Sequence, residues 1–434
     1  MTKRTLVWFR RDLRLHDHLA LAKALEQGPV AAIFTVSDDM RKREASCWWL
    51  HHSLFSLQKA LHEQGVTLLL SDENPTSVLP KLVKTYLINQ VVWNDSYTTD
   101  ERKEEVALKK VLEEAGISYE ACYGDVLFPQ HELTKDNGDP YSIFTPFYKR
   151  SQKETVKRPV ALQEDWQSIQ VDALKSLDEL KLLPERDWYK KFEAYWTPGE
   201  QAGIEQFKQF ADDDIADYKK MRDFPDADGT SRISPYLTWG NLSVRAVYYA
   251  ASRREHAEPY LRQLVWREFA RRQLMQHPTL ETKPLRTEFN EFPWRDSQSD
   301  FDKWKRGETG YPLVDAGMKQ LWETGWMHNR VRMVAASFLT KHLLLPWQWG
   351  ADWFKETLVD YDEANNAMGW QWVAGTGIDS APYFRIFNPE TQLEKFDSNG
   401  EYVHEFTKDQ DVAPIVDHKE ARARALAAYE RIKK

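Results

Sequence analysis

Five short apolar runs fall within the first 125 residues, at 5–9, 30–36, 66–70, 88–93 and 117–123. Each is rich in Val, Ile and Leu without strict alternation, the pattern of strands buried on both faces. The segments between them, such as 49–64 and 101–115, repeat their apolar residues at helical spacing. Gly65 and Gly116 follow two of these segments, where glycine readily ends a helix. Strand and helix in alternation lead to parallel pairing through crossover helices. The chain is therefore expected to open with a five-stranded, doubly wound, Rossmann-like parallel sheet over residues 1–130. Neither a GxGxxG after the first strand nor a P-loop pattern is present, so the usual phosphate loops of such sheets are missing.

The character changes further along. Residues 131–200 read as a linker with some helix. From 201 to 434 strand-like runs disappear, and helical spacing dominates at 260–276, 312–324 and 329–344. An α/β domain followed by an all-α domain suits 434 residues, beyond the size at which one core keeps growing. The 18 tryptophans exceed ordinary usage, and 11 of them lie between Trp239 and Trp372. Most are expected as core, and some could serve as stacking platforms for bases.

A net charge of −8 argues against a uniformly basic nucleic-acid binder, though a local basic face stays open. Two cysteines, Cys47 and Cys122, give no disulfide framework and no CxxC site, which points to a reducing compartment. The N-terminus carries no apolar signal segment, and no run is long enough to span a membrane. The expectation is a cytoplasmic protein.

Patterns of ordinary hydrolytic or metal catalysis are missing, with no GxSxG or HExxH. Asp360-Tyr361-Asp362 could hold a metal with a phosphate, or could be a helix-terminal or solvated acidic pair. His51 and His52 are adjacent and would diverge on a helix rather than face one metal. In Gly229-Thr230-Ser231-Arg232-Ile233-Ser234-Pro235, Ser234 reads as a helix cap with Pro235 at the first helical position. Three hydroxyls and an arginine at a helix start would suit a diphosphate; an ordinary cap with a solvated arginine explains them equally. Arg253, Arg254, Arg262, Arg267, Arg271 and Arg272 interleave with Tyr260, Trp266 and Phe269, as on a nucleic-acid surface or on a solvated basic helix. Arg330 and Arg332 could extend that patch.

Val7-Trp8-Phe9-Arg10-Arg11-Asp12-Leu13-Arg14-Leu15-His16-Asp17 resembles the opening of the photolyase/cryptochrome family. So do Gly229 to Ser234, Trp266-Arg267-Glu268-Phe269, Gly310 to Asp315, Gly325 to Met333, Trp370-Gln371-Trp372 and Ala381 to Pro389, spread across nearly the whole chain. Within the family the set looks most like class I cyclobutane pyrimidine dimer photolyases. The resemblance implies an α/β antenna domain and a helical domain binding FAD, active as FADH−. By motif, Tyr218, Thr230, Ser231, Arg232 and Ser234 would hold its ribityl and phosphate parts. Asn329, Arg332, Asp360 and Asp362 would surround the isoalloxazine and its neighbours. Asn366 would face flavin N5, where a neutral amide tolerates a reduced, anionic ring better than a carboxylate would. Trp370, Trp347 and Trp294 would relay electrons from the surface. Trp266 and Trp372 would wall a flipped dimer, with Met333 beside it and Arg222, Arg267, Arg330 and Arg385 near the DNA phosphates. The partner would be UV-damaged DNA and the protein a monomer, at the nucleoid when bound to DNA. The rival within the family is a cryptochrome photoreceptor. The absence of a long tail after the last motif, together with Asn366, leans toward repair. A non-catalytic, Trp-rich nucleic-acid binder is the rival from another class.

Three departures stand out. Gln263 replaces the family's dimer-binding Glu: its amide still donates to a thymine carbonyl but supplies no carboxylate. In the antenna pocket Glu101 fits the folate pattern, whereas Asp100 and Glu44 replace the usual Asn and His, so methenyltetrahydrofolate or no antenna at all is implied. The stretch from His404 to Val416 is shorter than in relatives.

Overall fold

The computed structural model describes residues 3–378, 384–408 and 412–433. Residues 381–383 of the motif ending at Pro389, and 409–411 of the short stretch after His404, lie outside the described residues.

Five parallel strands form the sheet: β1 (Thr5–Phe9), β2 (Val30–Thr35), β3 (Leu68–Ser71), β4 (Gln90–Asn94) and β5 (Ser118–Cys122). Their order is β3-β2-β1-β4-β5, with Val7 opposite both Ala32 and Val92. The first four strands are buried end to end, which is why their sequences are continuously apolar. Helices α1 (Leu19–Gln27), α2 (Glu44–Glu63), α3 (Pro75–Thr85) and α4 (Thr99–Glu114) make the crossovers. Leu6, Trp8 and Ile33 point to one face with α3 and α4, while Val7, Phe9 and Phe34 point to the other with α1 and α2. The expected sheet is thus present, with strand ends displaced by one or two residues.

The second half is helical. The elements that matter for the site are α5 (Phe144–Ser151), α6 (Ser234–Thr238), α7 (Glu258–Gln276), α8 (Pro312–Thr324), α9 (Asn329–Ser337), α10 (Trp347–Thr357) and α11 (Glu363–Ala374), with α12 (His418–Ile432) near the end. The expected helix over 329–344 is interrupted: α9 passes into a wide π turn at Phe338–His342, and Leu344 turns left-handed with φ 54°. In that turn Lys341, fully buried, donates to the Ala374 carbonyl at the end of α11. A π turn inserts a residue, and here the insertion brings the amine to the last carbonyls of α11, where burial and the nearby Arg286 push its pKa well below the usual lysine range.

The sheet and the helices share one core that runs from Val7 and Phe9 through Trp49 and Trp239 to Phe269 and Met368. The loop after β1 docks on the loop after α6. The Trp49 indole donates to the Asn241 side chain, the Trp239 indole donates to Ser46, and Arg14 donates to the Gly240 carbonyl, at 2.9, 2.9 and 3.0 Å. Asp17 and Arg245 form an ion pair that is 1% exposed on either side. Gly240 has φ 67°, and a Cβ there would sit 2.0 Å from the Arg11 carbonyl oxygen. That contact is backbone and cannot rotate away.

Gly65 shares the positive φ but would meet nothing within 4 Å. Gly65→Ala is therefore expected to cost only the left-handed penalty, about 1–2 kcal/mol. Gly240→Ala must cost clearly more, because the β1 loop has to move. Urea unfolding of the two variants side by side checks the ordering; equal losses would contradict it.

Candidate functional site

Helices inside a helical domain normally bury their facing surfaces. Four elements here leave polar or aromatic residues partly open instead. On α7 these are Arg262, Gln263 and Trp266; on α9, Asn329, Arg332 and Met333; on α11, Asn365, Asn366, Gly369 and Trp372; and on the loop before α6, Thr230, Ser231 and Arg232. Asn365, Gly369 and Trp372 recur at i, i+4 and i+7, which is one face of α11. A Cβ on Gly369 would meet nothing within 4 Å, so that face is uncovered there. α11 packs against both α7 and α9, which gathers these faces in one region.

The loop before α6 is built for close approach. Arg232 holds φ 50°, unusual for a residue with a side chain, and its guanidinium lies over the Trp326 ring at 5.6 Å. A Cβ on Gly229 would lie 2.4 Å from the Cβ of Met221. The Tyr260 hydroxyl donates to Ser231 at 3.3 Å, and the Tyr218 ring stands edge-on to Tyr260 at 5.3 Å. Ser234 corrects its expected role. Ile233 takes the cap position and Ser234 is the first residue of α6, its hydroxyl donating to Asp360 at 2.7 Å and accepting from the Trp326 indole at 3.3 Å. Once Asp360 offers a strong charged acceptor, the hydroxyl turns there rather than back to its own helix.

Asp360 and Asp362 are both buried and paired. Arg332 donates to both oxygens of Asp360 at 3.0 and 2.8 Å. Asp362 caps α11 through the Asn365 amide at 2.9 Å and accepts from the Tyr97 hydroxyl at 2.6 Å and from Arg271 at 3.1 Å. Burial alone would raise the Asp362 carboxyl, but Arg271 and Arg267 outweigh it and hold it well below its usual range. Of the two readings of this pair, the helix-terminal one describes Asp362, and both carboxylates are committed to arginines. His328 caps α9, with its ring nitrogen accepting the Arg330 amide at 3.3 Å. Burial, with Arg332 and Arg330 nearby, pushes its pKa down to about 4, so it caps as a neutral ring.

The arginines of α7 divide between surface and interior. Arg267, expected near DNA phosphates, is buried: it donates to the Asp125 carboxylate at 2.8 Å and to the Leu237 carbonyl at 3.0 Å. Arg271 joins Asp125 to Asp362, and Arg272 pairs with Glu268 at 3.0 Å. Positions 267 and 271 lie one turn apart and face the acidic residue after β5, which sequence spacing does not reveal. Arg222 and Arg330 remain half-buried around Asp223, the latter at 2.8 Å. Arg385 is exposed, with its guanidinium 5.2 Å from the Trp372 ring centre. The Gln263 amide donates to the Pro259 carbonyl at 3.2 Å, and the Asn366 amide to the Ala351 carbonyl at 3.2 Å.

The three tryptophans differ in burial. Trp370 and Trp347 are buried and Trp294 is half-buried. Trp294 and Trp347 line one surface cavity of about 320 Å³ with Phe289, Pro346 and Trp349. α10 reaches Trp370 at Gly350, where a Cβ would touch the indole at 2.1 Å. Trp304, which carried no role in the sequence, lies edge-on to Trp370 at 6.2 Å.

Glu101 is turned inward. It accepts from Arg11 at 2.9 Å and from the Ser96 hydroxyl, and its side chain is 11% exposed. Glu44 accepts from the Trp188 indole at 2.7 Å, and Asp100 pairs with Lys103 at 2.9 Å on the surface. Glu101, the carboxylate that the folate pattern singles out, belongs here to an internal network. That network was missed from sequence: Arg11 bridges Glu101 to Glu363 at 2.6 Å, Arg43 joins Glu363 to Asp39, and Arg10 pairs with Glu105. Most of its partners lie far apart in the chain, Glu363 more than 300 residues from Arg11 and Arg43, and only the adjacent arginines of the β1 motif hinted at it. Among the described residues no group of His, Cys, Asp and Glu could hold a metal ion, and no helix is long and apolar enough to cross a membrane.

Residues 5–164 match the DNA photolyase family model, and residues 260–411 match that of the FAD binding domain of DNA photolyase. The chain belongs to the DNA photolyase family. It is 39% identical, over all of its length and 99% of the other's, to a protein of Agrobacterium fabrum named deoxyribodipyrimidine photo-lyase. Arabidopsis thaliana cryptochrome-1 is 35% identical over 92% of this chain and 62% of its own length. The crystal structure of a bacterial class III photolyase from Agrobacterium tumefaciens superposes with a TM-score of 0.95 at 38% identity, covering 100% of this chain and 98% of that one. That similarity lies with class III, where the motifs alone had suggested class I. The helical half is thus an FAD-binding domain, and its donor set fits the cofactor. Loop hydroxyls and Arg232 suit a diphosphate, and the Asn366 amide suits a flavin ring.

Folding and ionisation are linked through Glu101. Burial would raise its pKa, but Arg11 and Arg10 bring it down to about 2, against 4.5 for the ordinary group. A lowered carboxylate stabilises the fold fully above its unfolded pKa and loses that contribution as pH falls toward the folded one. Stability is therefore expected to fall from about pH 5 to pH 2. Glu101→Gln should lose about 3 kcal/mol at neutral pH and flatten part of that fall. Urea titrations across pH check both; an unchanged pH profile in the variant would count against the linkage.

Proposed function

We propose that the chain is a deoxyribodipyrimidine photo-lyase acting on cyclobutane pyrimidine dimers in UV-damaged DNA. The observation that carries this reading is α11, a single rigid helix bearing Asn366, Trp370 and Trp372. It ties the flavin contact, the inner end of the electron path and one wall of the lesion pocket to one backbone. When bound, FAD as FADH− would supply light-driven one-electron chemistry toward the dimer with no net redox change.

The chain's own residues bind and orient. Tyr218, Thr230, Ser231, Arg232 and Ser234 hold the diphosphate and ribityl end, while Arg332 keeps Asp360 in place beside them. Asn329, Asp362 and Asn366 border the ring system, and the neutral Asn366 amide offers hydrogen bonds without adding a negative charge. A dimer stacks and pairs poorly, so flipping it out costs less than flipping an intact base. Trp266 and Trp372 receive it, Gln263 and Met333 contact it, and Arg222, Arg330 and Arg385 steady the flanking phosphates. Arg267 is left out of that set because its guanidinium is used inside. Trp370, Trp347 and Trp294 would carry electrons inward to restore the reduced state, each refilled from the next one outward and Trp294 refilled by a reductant in solution, such as a thiol. The α/β half over 1–130 is the antenna domain, 131–200 the linker and 201–434 the catalytic domain.

An oligonucleotide with one defined dimer should be restored under blue light and not in the dark. Tight flavin binding without repair would favour a cryptochrome-type photoreceptor. Trp370→Phe should slow flavin photoreduction at least tenfold while pre-reduced enzyme still repairs; a normal photoreduction rate would remove the electron-path assignment. Gln263→Glu should raise the quantum yield of repair, and an unchanged yield would show that the amide is no handicap.

A further inference from the structure

We infer that Phe144, at the start of α5, is a positioning residue for lesion recognition: it is the back plate that fixes the plane of the Trp266 wall. The inference rests on the proposed role of Trp266. The Phe144 and Trp266 rings are stacked with centroids 3.5 Å apart and planes within 9°. Phe144 is 1% exposed whereas Trp266 is half-buried, so the stack covers one indole face from inside. Phe269 closes the indole edge at 5.8 Å and 80°, and it stands edge-on to Phe144 at 5.7 Å. One face of the indole is thereby left for a base.

Phe144 is itself held from several directions. Tyr148, one turn later, lies nearly parallel to it at 5.7 Å, and the Tyr148 hydroxyl donates to Glu258 at the start of α7. Arg262, one turn before Trp266, lays its guanidinium over the Phe144 and Tyr148 rings at 5.2 and 4.9 Å. Gln273, further along α7, donates to the Tyr141 carbonyl at 2.8 Å and ties down the chain entering α5. α5 belongs to the connection between the two halves, a segment whose sequence suggested a linker with some helix. A stacking wall discriminates a flipped dimer only if its plane is set before binding, since freezing a loose indole on contact consumes binding free energy. Phe144 sets that plane in the free protein.

The test is dark binding of dimer-containing and undamaged duplexes to the FAD-loaded enzyme. Phe144→Leu keeps most of the apolar volume and removes the plane; Phe144→Met is the second variant if the first folds poorly. Affinity for the dimer duplex is expected to fall about tenfold, with undamaged-duplex affinity and flavin absorption nearly unchanged and the melting temperature lowered by the lost core volume. Phe144→Leu added to Trp266→Ala should have no further effect. If Trp266→Ala abolishes discrimination while both Phe144 variants keep it, the back-plate role is overturned and the Trp266 wall stands. If Trp266→Ala leaves discrimination intact, the wall reading itself fails. Tighter dimer binding by Phe144→Leu would also overturn the proposal, because Phe144 would then occupy the face meant for the base.

Discussion

The rest of the structure depends on a chain of buried charges that joins the carboxyl end of the sheet to the first turn of α11. Arg10 and Arg11 leave β1 and meet Glu105, Glu101 and Glu363; Arg43 comes from α2 to the same Glu363. Beside them Tyr97 and Arg271 converge on Asp362, and Asp125 holds Arg271 and Arg267. Each ion would cost several kcal/mol to bury alone, and the pairs recover that cost only with good geometry. The geometry exists only when both halves are in place. Because Asp362 and Glu363 begin α11, the same charges set where Asn366, Trp370 and Trp372 stand.

This arrangement suits chemistry in which the protein contributes position rather than acids and bases. The open faces of α7, α9 and α11 carry amides, indoles, a thioether and two arginines, groups that neither gain nor lose protons near neutrality. Charged groups close to them are neutralised in pairs, such as Arg332 with Asp360. His328, the one titratable ring at the start of α9, is kept neutral by burial. The electrostatic surroundings of the site therefore change little across the physiological range.

The sheet was legible because strands buried on both faces must be continuously apolar, and Val30 to Thr35 or Gln90 to Asn94 have little other use. Helix positions in the second half were legible for the same reason, except where the π turn at Phe338–His342 widened a helix that sequence spacing continued to residue 344. Candidate site residues came from motifs rather than from physics. Spacing could not tell that Arg267 faces inward, since α7 is lined with arginines on more than one side. Nor could it show that Ser234 prefers Asp360, 126 residues away, over its own helix. Glu101 looked available because its partner Arg11 reads as part of a motif, not as a counter-ion. Phe144 sat in a segment of weak periodicity, and its importance appears only once α5 lies across α7.

The docking of the β1 loop against Gly240 has a consequence for modularity. Antenna and catalytic halves are often pictured as separable units joined by a tether. Here the turn at Gly240 leaves no room for a methyl group beside the Arg11 backbone, and the Asp17–Arg245 pair crosses the same seam. Cutting the chain near residue 200 would strand Glu363 without Arg11 and Arg43 and Asp362 without the Tyr97 hydroxyl, and open a tryptophan-lined surface to water. The α/β half is thus also the mould in which the helical half sets. Grafting a different antenna onto this protein would have to keep the arginines after β1 and the tyrosine after β4, whatever chromophore it carried.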